Sequence, residues 1–306
     1  MKGAERSVNG HWDSARTLAI VIMLLQLAAL PGCETINTLL DTYQSTRETA
    51  PIIDRPWDIH ENDRKLLIVL VHGFNSSSEQ AWGRFPSLIT EQKDSVFAGF
   101  NVVRYGYGSS FCKNRVDIRE RGAGLKSFLK DEISSYEGVI FVSHSMGGLV
   151  VMHSLTRLAK ENNDNLKRLL ITVMTFGTPH YGVKAADQLT SLGFLCSDNQ
   201  AEDLRVFNDS LFELMSDWNS FFSKETSERY SYHVTLRTYY GERDTFVDRF
   251  SACGPYLECD EVDGNHVMMV KPDNTEHLAY KKLISEVRRI IAAIPAPAKP
   301  SNLSVE

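Results

Sequence analysis

Residues 138–150 constrain this chain more than any other stretch. Gly138-Val139-Ile140-Phe141-Val142 is apolar and β-branched, Ser143-His144-Ser145-Met146-Gly147 turns, and Gly148-Leu149-Val150 opens a helical pattern. A strand that passes straight into a helix through small residues fits a strained elbow, which lifts a serine hydroxyl above the end of a parallel sheet. The positions two before and two after Ser145 must be small, because strand and helix backbones pass close there. Ser143 and Gly147 meet that demand, Ser143 in place of the more usual glycine. Ser145 is thereby the candidate nucleophile.

The rest of the chain supplies the sheet that such an elbow needs. Lys65 to Val71 is a continuous apolar run ending at His72-Gly73, and Phe100 to Tyr105 closes on Gly106-Tyr107-Gly108. Leu169 to Phe176 ends at Gly177-Thr178-Pro179, and Tyr232 to Tyr240 is rich in strand-forming residues. Unbroken runs of this kind suit strands covered on both faces. Between them, Leu125, Phe128, Leu129, Ile133 and Tyr136 share one helical face. Leu149, Val150, His153 and Leu158 share a second, and Leu283, Val287, Ile290 and Ile294 a third. The alternation predicts an α/β fold, a mostly parallel central sheet with helices on both faces. An insertion at about 180–230 repeats Leu204, Phe207, Leu211, Leu214, Met215, Trp218 and Phe221 at helical spacing. It reads as a helix packed on the domain, as a helical cap with an apolar underside over the site, or as both.

At 306 residues the chain has room for one sizeable domain. We divide it into a signal segment (1–32), a tether and extension (33–64), a catalytic domain (65–294) and a Pro-rich tail (295–306). Thr17 to Leu30 is apolar apart from Thr17 and Gln26 and follows Lys2, Arg6 and Arg16. It is shorter than the roughly 20 residues of a comfortable bilayer span and fits the apolar region of an export signal. Leu30-Pro31-Gly32-Cys33 resembles a bacterial lipobox, so Cys33 is the candidate lipidation site. The expectation is an exported protein of the bacterial cell envelope, tethered to the membrane through Cys33. Ordinary cleavage, an uncleaved anchor and a buried helix are the alternatives, in that order. Four cysteines then remain, and an oxidising compartment permits two disulfides. The short interval between Cys253 and Cys259 favours that pair, with Cys112 to Cys196 as the other; four unpaired buried thiols are the alternative. No Cys/His cluster suggests a metal, and neither a metal nor a cofactor is expected. A net charge of −6 without a basic stripe argues against a nucleic-acid partner.

A serine hydroxyl needs a base to take its proton, and a histidine base needs a carboxylate to orient it. In elbow folds the chain order is serine, acid, histidine. Asp244 follows a strand and a turn glycine in Tyr240-Gly241-Glu242-Arg243-Asp244 and is the preferred acid, with Asp248, Asp260 and Asp263 behind it. His266 lies on a glycine-marked loop just before the closing helix and is the preferred base. His153 reads as a packing residue, while His233 at a strand start and His277 in the first turn of a helix have structural readings too. Backbone N–H groups of Met146 and Phe74 are the expected oxyanion donors, and His72 is read as shaping its loop.

Taken together, His72-Gly73-Phe74, Ser143 to Gly148, Phe176-Gly177-Thr178-Pro179-His180, Gly241 to Asp244, and His266 with Val270-Lys271-Pro272 resemble the α/β-hydrolase superfamily. More narrowly, they resemble its lipase-like serine esterases, the PGAP1-like and related uncharacterised hydrolase families. The resemblance spans roughly residues 65–292. It implies Ser145 as nucleophile, Asp244 as acid, His266 as base and carboxylic esters as substrates. The apolar insertion points toward a lipid or other acyl ester. Acyl transfer with the same three residues, thioester or amide cleavage, and a surface binding protein without turnover are the readings left open. Oligomeric state is not legible in the sequence.

Overall fold

The apolar runs become strands because each is flanked by glycine or a turn and is covered on both sides by helices. The computed structural model describes residues 52–57, 66–91, 100–109, 116–183, 203–206, 208–223, 230–256 and 258–294. The signal segment, Cys33, Cys112, Cys196, Phe207 and the Pro-rich tail lie outside the described residues.

Within these residues β1 (Ile52–Trp57), β2 (Leu66–Val71), β3 (Phe100–Gly106), β4 (Gly138–His144), β5 (Leu170–Phe176), β6 (His233–Gly241) and β7 (Cys259–Val262) form one sheet. Their order is β1-β3-β2-β4-β5-β6-β7. Every neighbouring pair from β3 to β7 is parallel, and β1 runs antiparallel along β3. Within the 33–64 segment, read as a tether and extension, Ile52–Trp57 forms an edge strand. Ile52-Ile53-Asp54-Arg55-Pro56-Trp57 has neither an apolar run nor a period-two alternation, so it does not stand out as a strand.

The helices are α1 (Phe85–Glu91), α2 (Ile118–Glu132), α3 (Met146–Lys160), α4 (Asp164–Arg168), α5 (Asp209–Phe222) and α6 (Arg249–Cys253) between strands, and α7 (Leu278–Ala293) after β7. Side chains alternate across a strand, so each run feeds two cores. Leu67, Val69, Val71, Val139, Phe141, Ile171 and Val173 meet α2, α3 and α5 on one face. Leu66, Ile68, Leu70, Ile140, Val142, Met174 and Phe176 meet α1 and α7 on the other.

Helix starts follow from local chemistry. Asp117, Asn163, Asn208 and Asp248 each accept a backbone N–H at the head of α2, α4, α5 and α6, and His277 does so for α7. Such caps contribute about 1 kcal/mol each. Helix α3 begins on Ser145 with no side-chain cap. Its N-cap hydroxyl is committed elsewhere.

Helix α5 lies in the insertion. Its Leu211, Leu214, Met215, Trp218 and Phe222 are buried in the core beside α2 and α3. Arg119 pairs with Glu213, and Lys160 with Asp217, along that same seam. The apolar stripe read from the sequence is thus used for packing against the domain. Cys253 and Cys259 form a disulfide that joins α6 to β7, the pairing expected from their separation.

Candidate active site

The turn at the end of β4 is built around a residue in an unusual conformation. Ser145 has φ 52° and ψ −130°, a region that residues with a Cβ adopt only when their surroundings impose it. Its N–H donates to the Phe176 carbonyl at 2.8 Å, and the Thr178 hydroxyl donates to the Ser145 carbonyl at 2.9 Å. One residue further back, the Ser143 hydroxyl donates to the Met174 carbonyl at 2.8 Å. The turn is therefore stitched to β5 and to the segment that follows it. A Cβ on Gly147 would overlap the carbonyl oxygens of Val71 and His72, and one on Gly73 would lie 2.7 Å from the Ser145 Cβ. Both positions need glycine for close approach, which is the demand read from the motif at 147.

Parallel strands deliver the other two side chains to the same end of the sheet. Asp244 follows β6 and His266 follows β7, both at carboxyl ends, where ligand crevices form in α/β sheets. His266 Nε2 stands 3.0 Å from the Ser145 Oγ, and its Nδ1 stands 2.8 Å from Asp244 Oδ2. The second carboxylate oxygen, Oδ1, accepts the backbone N–H groups of Phe246 and Val247, each at 2.9 Å. The Asp244 side chain is 1% exposed and that of His266 16%. An acceptor this buried, with both oxygens occupied, fixes which ring nitrogen of His266 carries the proton: Nδ1–H donates to Asp244, which leaves Nε2 free to accept from serine.

The other candidate carboxylates, with His153, His233 and His277, have structural readings. Asp248 caps α6, Asp260 pairs with Lys282 at 2.6 Å, and Asp263 accepts the Leu278 N–H at 3.0 Å. His153 packs against Gly122 of α2, and burial lowers it to about 4. His233 is exposed at the start of β6, and His277 caps α7.

His72 holds a loop in place. It stacks on Tyr107 with ring centroids 4.4 Å apart, and its Nε2 accepts the Tyr107 N–H at 3.1 Å. Its Nδ1–H reaches the Gly73 carbonyl at 2.9 Å. Burial, the dominant cause, lowers its pKa to about 4 and keeps it neutral. This pins the His72-Gly73-Phe74 segment to the end of β3, and Asn75 N–H adds a bond to Ser109 at 2.7 Å. The segment therefore runs beside the Ser145 side chain, where a Phe74 N–H donor is expected. Met146 opens α3, so its N–H is among the first helix donors, which have no intrahelical acceptor.

Sequence reasoning missed two features. His144 places Nε2 2.6 Å from the His266 carbonyl oxygen; only its position within the elbow could have marked it. Phe246, Val267 and Met268 are exposed apolar residues near His266, with the Phe246 ring 5.1 Å from that of His266. Among the described residues, no group of three His, Cys, Asp or Glu side chains is placed to hold a metal ion. Nor is any helix among them long and apolar enough to cross a membrane.

Comparison with known proteins agrees with this architecture. Residues 61–208 match the family described as "Putative serine esterase (DUF676)". Protein SERAC1 of Danio rerio is 26% identical over 187 residues, which cover 57% of this chain and 27% of that protein. Protein SERAC1 of Homo sapiens is 24% identical over 158 residues, covering 50% and 24%. The chain thus spans about a quarter of the length of these curated relatives. Among solved structures, Bacillus licheniformis lipase BlEst2 in its mature form aligns with a TM-score of 0.53 at 19% identity. The alignment covers 76% of this chain and 97% of that one, a likeness of fold. The chain thus has an α/β-hydrolase fold, and over residues 61–208 its sequence is similar to the serine esterase family.

Proposed function

We propose that this protein is a serine hydrolase that cleaves carboxylic esters of acyl or lipid type through a covalent acyl-enzyme. The observation that carries the reading is the unbroken chain of hydrogen bonds from Ser145 Oγ through His266 to Asp244, at 3.0 and 2.8 Å. In this mechanism Ser145 Oγ attacks the ester carbonyl carbon while His266 Nε2 takes the hydroxyl proton. Asp244 holds the imidazole in place and balances the charge it acquires. The tetrahedral oxyanion is met by the Met146 and Phe74 N–H groups, each such donor worth roughly 100- to 1,000-fold in rate. Collapse breaks the bond to the alkoxide, which leaves as an alcohol carrying the proton from His266. Water, deprotonated by the same nitrogen, then attacks the acyl-enzyme, and the acid departs as Ser145 regains its proton.

Support for an acyl chain comes from the rim and not from the insertion helix. Helix α5 has spent its apolar stripe on the core, whereas Phe246, Val267 and Met268 leave apolar surface beside the base. Export and tethering through a lipidated Cys33 are proposed from the sequence of residues 17–33 alone. Mass spectrometry of the mature amino terminus tests them, and an unmodified Cys33 would contradict the tether.

The main reading is tested with a fluorophosphonate label and a panel of esters of graded chain length. Wild type should label and turn over esters. Ser145→Ala should lose labelling and lower kcat by roughly 10⁴- to 10⁶-fold. A wild type that neither labels nor hydrolyses any ester would favour a binding role for the fold.

A further inference from the structure

The elbow commits a second side chain beside the serine. His144, the last residue of β4, is 7% exposed, and its Nε2 lies 2.6 Å from the main-chain carbonyl oxygen of His266. A carbonyl can only accept, so this nitrogen carries a proton and the imidazole donates. The two imidazole rings stand with centroids 4.8 Å apart. We propose that His144 is a positioning residue, whose N–H fastens the backbone of the base to the strand that carries the nucleophile. The inference rests on the reading of Ser145, His266 and Asp244 as the working triad and deepens it.

Few bonds to the loop of His266 last through a catalytic cycle. The base sits on a loop whose Gly264 has φ 102°. Asn265 caps its next turn, accepting from Val267 and Met268 at 3.1 and 2.9 Å, and Gly264 accepts the Arg243 N–H at 3.0 Å. These bonds organise the loop and join it to the acid's turn, but they do not join it to β4. The contact between Ser145 Oγ and His266 does reach β4, yet it is lost each time the serine becomes an ester. The bond from His144 uses no reacting atom and survives acylation. It holds the imidazole at the distance from which it must next activate water.

Charge makes the same demand. When His266 takes the serine proton, a second cation in contact with its ring would oppose the transfer. Burial foremost, and then the nearby His266, Lys271 and His72, hold His144 well below the ordinary histidine range. Asp244 faces the far nitrogen of His266 and not His144. His144 therefore donates as a neutral ring, at no electrostatic cost to the imidazolium.

The test compares His144→Phe, which keeps a ring and lacks the donor, with His144→Gln, which restores an N–H donor. Readouts are fluorophosphonate labelling rate, kcat and KM on a p-nitrophenyl ester, and Tm. His144→Phe should lower the labelling rate and kcat by about 10- to 100-fold with KM changed less than about twofold, and His144→Gln should recover most of the loss. Wild-type labelling in the Phe variant, or equal losses in both variants, would overturn the proposal. Should the Phe variant fail to fold, ¹⁵N chemical shifts of the wild-type histidines decide. His144 should be neutral with its proton on Nε2 from pH 5 to 8, and a proton on Nδ1 instead would refute it. A wild type inert to the fluorophosphonate removes the serine-hydrolase reading itself, an outcome separate from all of these.

Discussion

Ser145 performs two duties that pull against each other. Its positive φ raises the hydroxyl off the sheet, and such a conformation costs on the order of 1–3 kcal/mol in a residue with a Cβ. The bonds to Phe176 and from Thr178, with the close approach that Gly147 permits, impose it. Glycine adopts this region without that penalty. Ser145→Gly should therefore be more stable than Ser145→Ala by about 1 kcal/mol, although both lack the hydroxyl. Urea unfolding of the two variants measures the difference; equal midpoints would mean that the elbow holds no strain.

At the level of elements, the insertion helix turns its apolar stripe into the core, while the rim leaves apolar surface exposed beside His266. Trp218 on α5 is buried beside α3, so Trp218→Ala should cost about 3–5 kcal/mol. It should leave the preference among ester chain lengths unchanged. Phe246 is exposed next to His266. Phe246→Ser should leave stability nearly unaltered and lower kcat/KM for long-chain esters by about tenfold relative to short ones, the equivalent of losing one or two buried methylene contacts. Thermal unfolding and a chain-length series on each variant separate the two roles. A shift in chain preference from Trp218→Ala would place the helix over the bound acyl chain.

Across the whole molecule, the interior carries several neutral imidazoles. Burial lowers His72 and His153 to about 4 and His180 to about 3. His180 also has no hydrogen-bond partner for either ring nitrogen among the described residues. The unfolded chain binds protons at these groups near the ordinary value of about 6.5. Between that pH and about 4 the unfolded state holds more protons than the folded one, so stability must fall as pH falls. Each group should cost on the order of 2 kcal/mol by pH 5 relative to pH 7.5. Three such losses rival the whole stability of an ordinary domain. The urea midpoint should drop steeply over this interval, and a flat profile would show that these rings are solvated.

The elements and the order of the site residues were legible because they are written locally. Apolar period marks strands and helices, small residues mark the elbow, and a glycine after a strand marks where Asp244 leaves the sheet. Edge strand β1 was not legible, because pairing with β3 and not an apolar run makes Ile52–Trp57 a strand. Nor does spacing tell whether an amphipathic helix such as α5 turns its stripe toward the core or toward a ligand; only the neighbouring α3 decides that. The bond from His144 to the carbonyl of a residue 122 positions away was invisible for the same reason. By itself the sequence determined which residue types stand at the ends of which strands. Strand order across the sheet decided which of those ends are neighbours, since hydrogen bonding over about 3 Å depends on distance in space and not along the chain.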